Sequence, residues 1–212
     1  MLSVASGATC PGDQTFASDA GDCHAIVVFA LPVATDNCSE VTTTLLSGIG
    51  NGIIPVGTTT QTYKFEDENG NFITCSFDVI IADNEVPELS CPVDISANVN
   101  NGDIDIAVSY SMPTATDNCG IQNIWRSSGL ASGALFPIGI TTVEYTAEDL
   151  NGNQTICSFT VTVNDSDFPE ITCPSNISQN VDAGECSAIV VYIPPVGTDT
   201  QGPTTTLQTD AT

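Results

Sequence analysis

Residues 136–163 form the most informative segment of the chain, FPIGITTVEYTAEDLNGNQTICSFTVTV. Apolar side chains occupy every second position over residues 143–147 and again over residues 157–163. Alternation with a period of two is typical of strands that bury one face. The dipeptide Asn151-Gly152 lies between the two runs, and Asn-Gly at such a place is a strong signal for a hairpin turn. The segment therefore predicts an antiparallel β-hairpin.

Much of this segment occurs a second time in the chain. Residues 54–81 are IPVGTTTQTYKFEDENGNFITCSFDVII, which share Pro-x-Gly, Asn-Gly-Asn and Cys-Ser-Phe with residues 136–163. Cys-Pro dipeptides begin at Cys10, Cys91 and Cys173, which are 81 and 82 residues apart by subtraction of these numbers. Regular self-similarity of this kind indicates tandem structural modules.

The repeats divide the chain into a first module at 1–85, a second at 86–167 and a third, truncated module at 168–212. Because half a module would leave apolar strands uncovered, we expect the natural chain to continue. Each full module has about 80 residues of short strands and turn signals, without the 3.6-residue apolar spacing of a helix. This pattern predicts an all-β chain of tandem immunoglobulin-like antiparallel β-sandwiches.

The charge balance restricts the partners of the chain. It has 2 Lys+Arg against 26 Asp+Glu, so its formal net charge is −24. Nucleic-acid binding depends on Lys and Arg that neutralise phosphates, so we expect no nucleic-acid partner. No apolar run approaches the roughly 20 residues of a membrane-spanning helix, so we expect no membrane insertion in this segment. The acidic excess favours calcium, a hard cation that takes oxygen ligands.

The order of these motifs resembles that of the hyalin repeat (HYR) module. Each full module has Cys-Pro, then Asp-Asn-Cys, Pro-x-Gly, Asn-Gly-Asn and Cys-Ser-Phe. The resemblance implies immunoglobulin-like domains in tandem within large adhesive surface proteins. It also implies an extracellular location, secreted or at the cell surface, and other modules of the same longer chain as partners.

The modules differ at positions that carry cysteine. The second module has Ile104 where the first and third have Cys23 and Cys186, and the third has Thr200-Gln201 where the others have Asn-Cys. Nine cysteines in total indicate disulfides formed in an oxidising compartment. Zinc binding is the alternative, but no Cys-x-x-Cys pair exists and His24 is the only histidine.

Four cysteines in a module allow three connectivities. In an immunoglobulin-like sandwich, the loop after the second strand lies at the same end as the final hairpin. This topology favours the pairs Cys38–Cys75 and Cys119–Cys157. Each bond would close a loop of about 40 residues and stabilise the fold by roughly 3–4 kcal/mol in the chain-entropy model.

Two further pairings involve the cysteines near the start of a module, Cys10–Cys23 and Cys173–Cys186. Successive antiparallel strands would place the two members of each pair at opposite ends. The alternative for Cys23 is a small, buried apolar residue. Cys91 would then be unpaired, or would bridge to something outside its module.

The linkers between modules, residues 83–87 and 165–169, are short, acidic and stiffened by proline. They resemble cadherin linkers, which bind calcium between consecutive sandwiches, and we expect a calcium site at each. The expected residues are Asp83, Asn84, Glu85, Asp117, Asn118 and Asp149 at the first site, and Asp165, Asp167 and Asp199 at the second. Calcium takes six to eight oxygens, so backbone carbonyls or water would complete each shell. The alternative is that these residues are solvated loop and cap residues.

These features favour a structural and adhesive protein, a calcium-stiffened stalk or filament of tandem modules, with self-association into fibres as a further hypothesis. The alternative is a glycan- or protein-binding module of a secreted protein. Its threonine-rich faces at residues 42–44 and 204–206 would contact a cell-surface glycan or protein. We expect no enzyme activity, because no constellation of catalytic residues is confined to one module and His24 has no recurring partner.

Overall fold

The computed structural model describes residues 7–36, 40–100 and 102–199, and over these residues the protein is all-β. The strands that precede residue 83 are β1 Gly7–Thr9, β2 Gln14–Ala17, β3 His24–Val27, β4 Val33–Thr35, β5 Thr42–Ser47, β6 Gly52–Pro55, β7 Gly57–Glu66 and β8 Phe72–Ala82. The later strands are β9 Glu88–Ser90, β10 Ile95–Val99, β11 Asp105–Ala107, β12 Thr114–Thr116, β13 Ile121–Ser128, β14 Leu135–Pro137, β15 Gly139–Asp149, β16 Gln154–Asp165, β17 Glu170–Ile171 and β18 Gly197–Thr198. In this described part of the chain, no helix is long and apolar enough to cross a membrane.

The described residues fall into two compact units. The first draws them from Met1–Cys91, Pro113–Trp125 and Tyr145–Cys157, and the second from Pro92–Met112, Arg126–Glu144 and Ser158–Thr212. Strands β13, β15 and β16 contribute residues to both units. The module boundaries given by the repeats therefore stay a prediction.

The first module has a four-stranded sheet in the order β2-β8-β7-β5 and a two-stranded sheet of β3 and β6. Strands β7 and β8 form a hairpin whose antiparallel register runs from Gly57↔Ile81 to Glu66↔Phe72. Their apolar residues alternate with polar ones, which buries Phe65, Phe77 and Val79. The rings of Phe29 and Phe77 meet edge to face at 5.4 Å. This core follows directly from the period-two pattern.

The second module repeats this arrangement with a sheet in the order β10-β16-β15-β13 and a β11–β14 pair. Phe136, Val143 and Val161 are fully buried in it. The turn between β15 and β16 contains Asn151-Gly152, with Gly152 at a φ of 93°, where glycine is free of Cβ strain. The predicted hairpin and the predicted all-β fold are confirmed.

One feature departs from a purely antiparallel sandwich. Strand β2 pairs in parallel with β8, in a register that runs from Gln14↔Val79 to Ala17↔Ala82. Strand β10 pairs in parallel with β16, from Ile95↔Val161 to Val99↔Asp165. Parallel pairing requires a long crossover rather than a tight turn, and here the rest of the module supplies it.

The disulfide pairs differ from the predicted ones, and parallel pairing explains why. The structure has Cys10–Cys75 and Cys91–Cys157, at sequence separations of 65 and 66. Extending the β2–β8 register back from Gln14↔Val79 places residue 10 opposite residue 75. The β10–β16 register likewise places residue 91 opposite residue 157. The predicted Cys38–Cys75 and Cys119–Cys157 bonds are therefore wrong, because Cys75 and Cys157 already have partners.

The third disulfide joins Cys23 to Cys119, with a Cα–Cα distance of 4.8 Å. Both residues lie in the first compact unit, although the sequence assigns them to different modules. The expected Cys10–Cys23 pair is thus replaced by two other bonds. Cys173 and Cys186 are exposed and free, so the expected bond between them is not formed. Cys38 lies outside the described residues.

Candidate metal centre

Three aspartates of the first compact unit form a cluster. Asp83 follows β8, Asp117 follows β12, and Asp149 is the last residue of β15. One carboxylate oxygen from each lies within 4.8 Å of the others. Asp83 and Asp149 are buried and Asp117 is half-buried. The structure therefore brings together the three predicted aspartates of the first site.

Asp149 is held by its own hairpin turn. Its Oδ1 accepts hydrogen bonds of 2.8 Å from the backbone amides of Asn151 and Asn153, and its Oδ2 accepts one of 2.7 Å from Asn153 Nδ2. Burial raises the pKa of Asp149, but the hydrogen bonds from Asn153, Asn151 and Gly152 outweigh burial and hold the pKa below its ordinary value. The carboxylate is consequently ionised at neutral pH.

Asp117 is held by the loop that follows it. Its Oδ1 accepts hydrogen bonds from the backbone amides of Cys119 at 2.8 Å and Gly120 at 3.1 Å. The backbone amide of Leu150 in turn donates to the Gly120 carbonyl at 3.1 Å, which ties this loop to the Asp149 turn. The Cys23–Cys119 disulfide anchors the same loop covalently.

Asp83 has an oxygen without a partner. Its Oδ1 accepts a hydrogen bond of 3.1 Å from the Glu85 amide and lies 3.5 Å from Asn118 Nδ2. Its backbone carbonyl accepts a bond of 3.2 Å from Asn153 Nδ2. Asp83 is 7% exposed, and its Oδ2, like Asn118 Oδ1, is buried without a hydrogen-bond partner. An unpaired buried oxygen is costly, so a positively charged partner would stabilise these two atoms.

The chemistry of this cluster suits a hard divalent cation. All the candidate ligand atoms are oxygens, from the three carboxylates and the Asn118 amide, as calcium prefers. Carboxylates this close together repel one another, and a bound cation would convert that repulsion into attraction. Four protein oxygens are fewer than calcium's six to eight, so carbonyls or water would supply the remainder.

The other residues predicted for the first site have different positions. Asn84 is exposed. The Glu85 carboxylate accepts a hydrogen bond of 2.8 Å from the Gly21 amide, so it braces the linker. Asn118 Nδ2 also donates to the Asp22 carbonyl at 3.1 Å.

The sequence analysis did not predict a role for Asn153, which contacts both Asp83 and Asp149. The recurrence of Asn-Gly-Asn in both repeats was the signal that could have identified it.

The residues predicted for the second site show only part of this arrangement. The Asp167 amide donates to Asp165 Oδ1 at 2.9 Å, and Asp167 Oδ2 accepts from the Gly102 amide at 2.8 Å. These two bonds repeat those of the first linker. Over residues 7–36, 40–100 and 102–199, however, the only group of three acids with metal-ligand spacing is the Asp83 cluster, so Asp199 does not complete a second one.

The chain is similar to hyalin of two organisms. It is 36% identical to hyalin of Strongylocentrotus purpuratus over 184 residues, which are 83% of this chain and 15% of the relative. It is 37% identical to hyalin of Lytechinus variegatus over 183 residues, which are 83% of this chain and 34% of the relative. The chain thus spans about a sixth and a third of these two proteins.

Among solved structures, Drosophila N-cadherin EC1-3 matches with a TM-score of 0.44 and 14% identity, covering 76% of this chain and 66% of that one. The extracellular cadherin domains 3-6 of protocadherin Gamma B2 match with a TM-score of 0.39 and 11% identity, covering 76% and 52%. The model of the HYR domain matches residues 8–81 and again residues 82–163. Two consecutive matches over this length show that the chain belongs to the HYR domain family.

Proposed function

We propose that the chain is an extracellular, adhesive structural repeat, part of a stalk or filament of tandem HYR modules at the cell surface. Calcium bound by Asp83, Asp117 and Asp149 stiffens it. The similarity to hyalin and the tandem HYR matches support the structural role. The three disulfides among the described residues support an oxidising, extracellular location. Partners in this proposal are other modules of the same chain and, in fibres, other copies of it.

The observation that carries the calcium proposal is the buried Asp83 carboxylate. Its Oδ2 has no hydrogen-bond partner, and one of its oxygens lies within 4.8 Å of a carboxylate oxygen of Asp117 and of Asp149. The three aspartates come from a linker, a loop and a hairpin turn that are far apart in sequence. A cation bound to all three would oppose separation of these segments. It would also offset the repulsion among the three carboxylates. Because the cation would bind the folded state, it would raise the free energy of unfolding by mass action.

The test compares Asp149→Asn with Asp67→Asn by thermal unfolding in chelator and in millimolar calcium. Asp67 occupies the same place in the first hairpin, where its Oδ1 and Oδ2 accept hydrogen bonds from Asn69 and Asn71. It does not belong to the three-aspartate cluster. Both variants weaken a turn, so the readout is the calcium-induced change in Tm rather than Tm itself.

We expect calcium to raise Tm by several degrees in the wild type and in Asp67→Asn. In Asp149→Asn and in Asp83→Asn, we expect the calcium-induced rise in Tm to be at least tenfold smaller, because each substitution removes one ligand charge. Small-angle scattering of the wild type should show a stiffer, more extended chain with calcium. Equal melting and scattering curves in calcium and in chelator would contradict the calcium proposal.

A specific surface supports the alternative, a glycan- or protein-binding module. All six residues of β5 are exposed, including Thr42, Thr43 and Thr44, and Leu45 and Leu46 add apolar surface beside them. The second threonine face, residues 204–206, lies outside the described residues. A glycan array with the whole chain separates the two functions, since one sharp hit would favour ligand binding and a blank array would favour the stalk.

A further inference from the structure

The Cys23–Cys119 disulfide connects two different repeat positions. Cys23 lies thirteen residues after the Cys of the first Cys-Pro, and Cys119 ends the Asp-Asn-Cys motif of the second repeat. We call these the Cys23 position and the Cys119 position of a repeat. The bond therefore links the Cys23 position of one repeat to the Cys119 position of the repeat that follows. Its Cα–Cα distance of 4.8 Å shows that the two backbones meet closely.

The same two positions lose cysteine together further along the chain. The second repeat has Ile104 at the Cys23 position, and the third repeat has Gln201 at the Cys119 position. A bond from the second repeat to the third would need both of these positions. Pairing within repeats would instead leave Cys119 without its partner in the second repeat. The concerted loss therefore agrees with pairing between consecutive repeats.

The third repeat again has a cysteine at the Cys23 position, which is Cys186. This residue is exposed and free, like Cys173. Cys173 occupies the position of Cys10 and Cys91, which bond to the Cys-Ser-Phe cysteine of their own repeats. Cys173 and Cys186 therefore belong to two different kinds of bond, and they are not expected to pair with each other.

We propose that Cys186 is half of an inter-repeat disulfide, whose partner is the cysteine of an Asp-Asn-Cys loop in a following HYR module. The bonded counterpart Cys23 is the observation that identifies this partner. The proposal rests on the repeat register and is independent of calcium, so either can fail without the other.

The bond forms by oxidation of two thiols. The Cys186 thiolate attacks one sulfur of a small-molecule disulfide oxidant and releases one oxidant thiol. The thiolate of the partner cysteine then attacks the Cys186 sulfur of the mixed disulfide and releases the second oxidant thiol. Two protein thiols thus lose two protons and two electrons, and the oxidant is reduced to two thiols.

Peptide mapping tests the proposal. It uses a polypeptide in which another HYR module with Asp-Asn-Cys follows this segment. The chain has only 2 Lys+Arg, so digestion uses proteases that cut at Asp and Glu, without reductant. We expect a linked pair of peptides that contains Cys186 and the Asp-Asn-Cys cysteine, and that disappears on reduction. A Cys173–Cys186 peptide, or a Cys186 thiol that alkylates fully in the folded chain, would overturn the proposal.

A graft into the 212-residue chain provides a second measurement. Ile104→Cys together with Gln201→Cys restores both positions between the second and third repeats. We expect a linked peptide that joins the two introduced cysteines in the double variant, and alkylation of the new thiol in each single variant. Gln201 lies outside the described residues, and the unchanged Cys23–Cys119 peptide serves as the folding control. A folded double variant in which both new thiols alkylate would contradict inter-repeat pairing.

Discussion

The hairpin turns at residues 67–71 and 149–153 have the same local structure but different surroundings. In each, the aspartate Oδ1 accepts from two backbone amides and its Oδ2 accepts from the Nδ2 of the last asparagine. Only the second turn contributes to a group of three carboxylates among the described residues. The turn is therefore a product of its own five residues, whereas the cluster depends on Asp83 and Asp117 from other segments.

The largest expected effect comes from the covalent anchor beside the second turn. Replacing Cys23 and Cys119 together with Ser opens a bond with a sequence separation of 96, which should lower the free energy of unfolding by about 4.7 kcal/mol. Because the Cys119 amide donates to Asp117, we also expect weaker calcium binding, by about tenfold. Denaturant unfolding and calcium titration measure the two effects.

The matched control is the double replacement of Cys10 and Cys75 with Ser. This bond has a sequence separation of 65 and should stabilise the fold by a similar amount, about 4 kcal/mol. It does not involve the Asp117 loop, so the calcium affinity of this variant should equal that of the wild type. Equal calcium affinities in both double variants would show that the anchor has no role at the cluster.

The sequence predicted the strands and the turn of each hairpin, because both depend on residues that are close together in the chain. The alternation in residues 143–147 and 157–163 predicted strands, and Val143, Ala147, Val161 and Val163 are buried as expected. Asn-Gly predicted the turn because its φ requirement is a property of the dipeptide itself. The meeting of Asp83 with Asp117 and Asp149 is not local, and its prediction came from the resemblance of the acidic linker to cadherin linkers.

The disulfides could not be predicted because they depend on non-local pairing. A period of two identifies strands but does not reveal which strands run parallel. The parallel β2–β8 and β10–β16 pairs decide the partners of Cys10 and Cys91. The apolar alternation from Ile104 to Met112 also predicts one strand with a buried face, but Ile104 is 64% exposed and the strand there covers only Asp105–Ala107.

A smaller effect tests whether the two turns are locally equivalent. Gly70 has a φ of 83° and Gly152 a φ of 93°, and no atom lies within 4 Å of a Cβ added to either. Alanine at either position should therefore cost only backbone strain, about 1 kcal/mol. We expect Gly70→Ala and Gly152→Ala to lower the free energy of unfolding equally in chelator. A difference well above the error of denaturant unfolding would mean that the surroundings also shape the turn.

The smallest expected effect concerns acid. The side-chain hydrogen bond from Asn71, with backbone bonds from Asn71, Asn69 and Gly70, holds the pKa of Asp67 below its ordinary value. The pKa of Asp149 is lowered too, because its hydrogen bonds outweigh burial. A carboxyl with a lowered folded-state pKa stabilises the fold above its unfolded-state pKa of about 4, and this stabilisation is lost as the pH falls through the folded-state pKa.

Both turns should therefore weaken below about pH 4, and Asp67→Asn and Asp149→Asn should each flatten the fall in unfolding free energy there. Calcium should distinguish them. A cation on the ionised Asp149 lowers its folded-state pKa further, so protonation must also displace the cation. In calcium the wild type should lose more stability on acidification than in chelator, and Asp149→Asn should abolish this extra loss while Asp67→Asn keeps it. If Asp67→Asn abolished it instead, the cation would belong to the first turn, and the contrast between the two turns would be reversed.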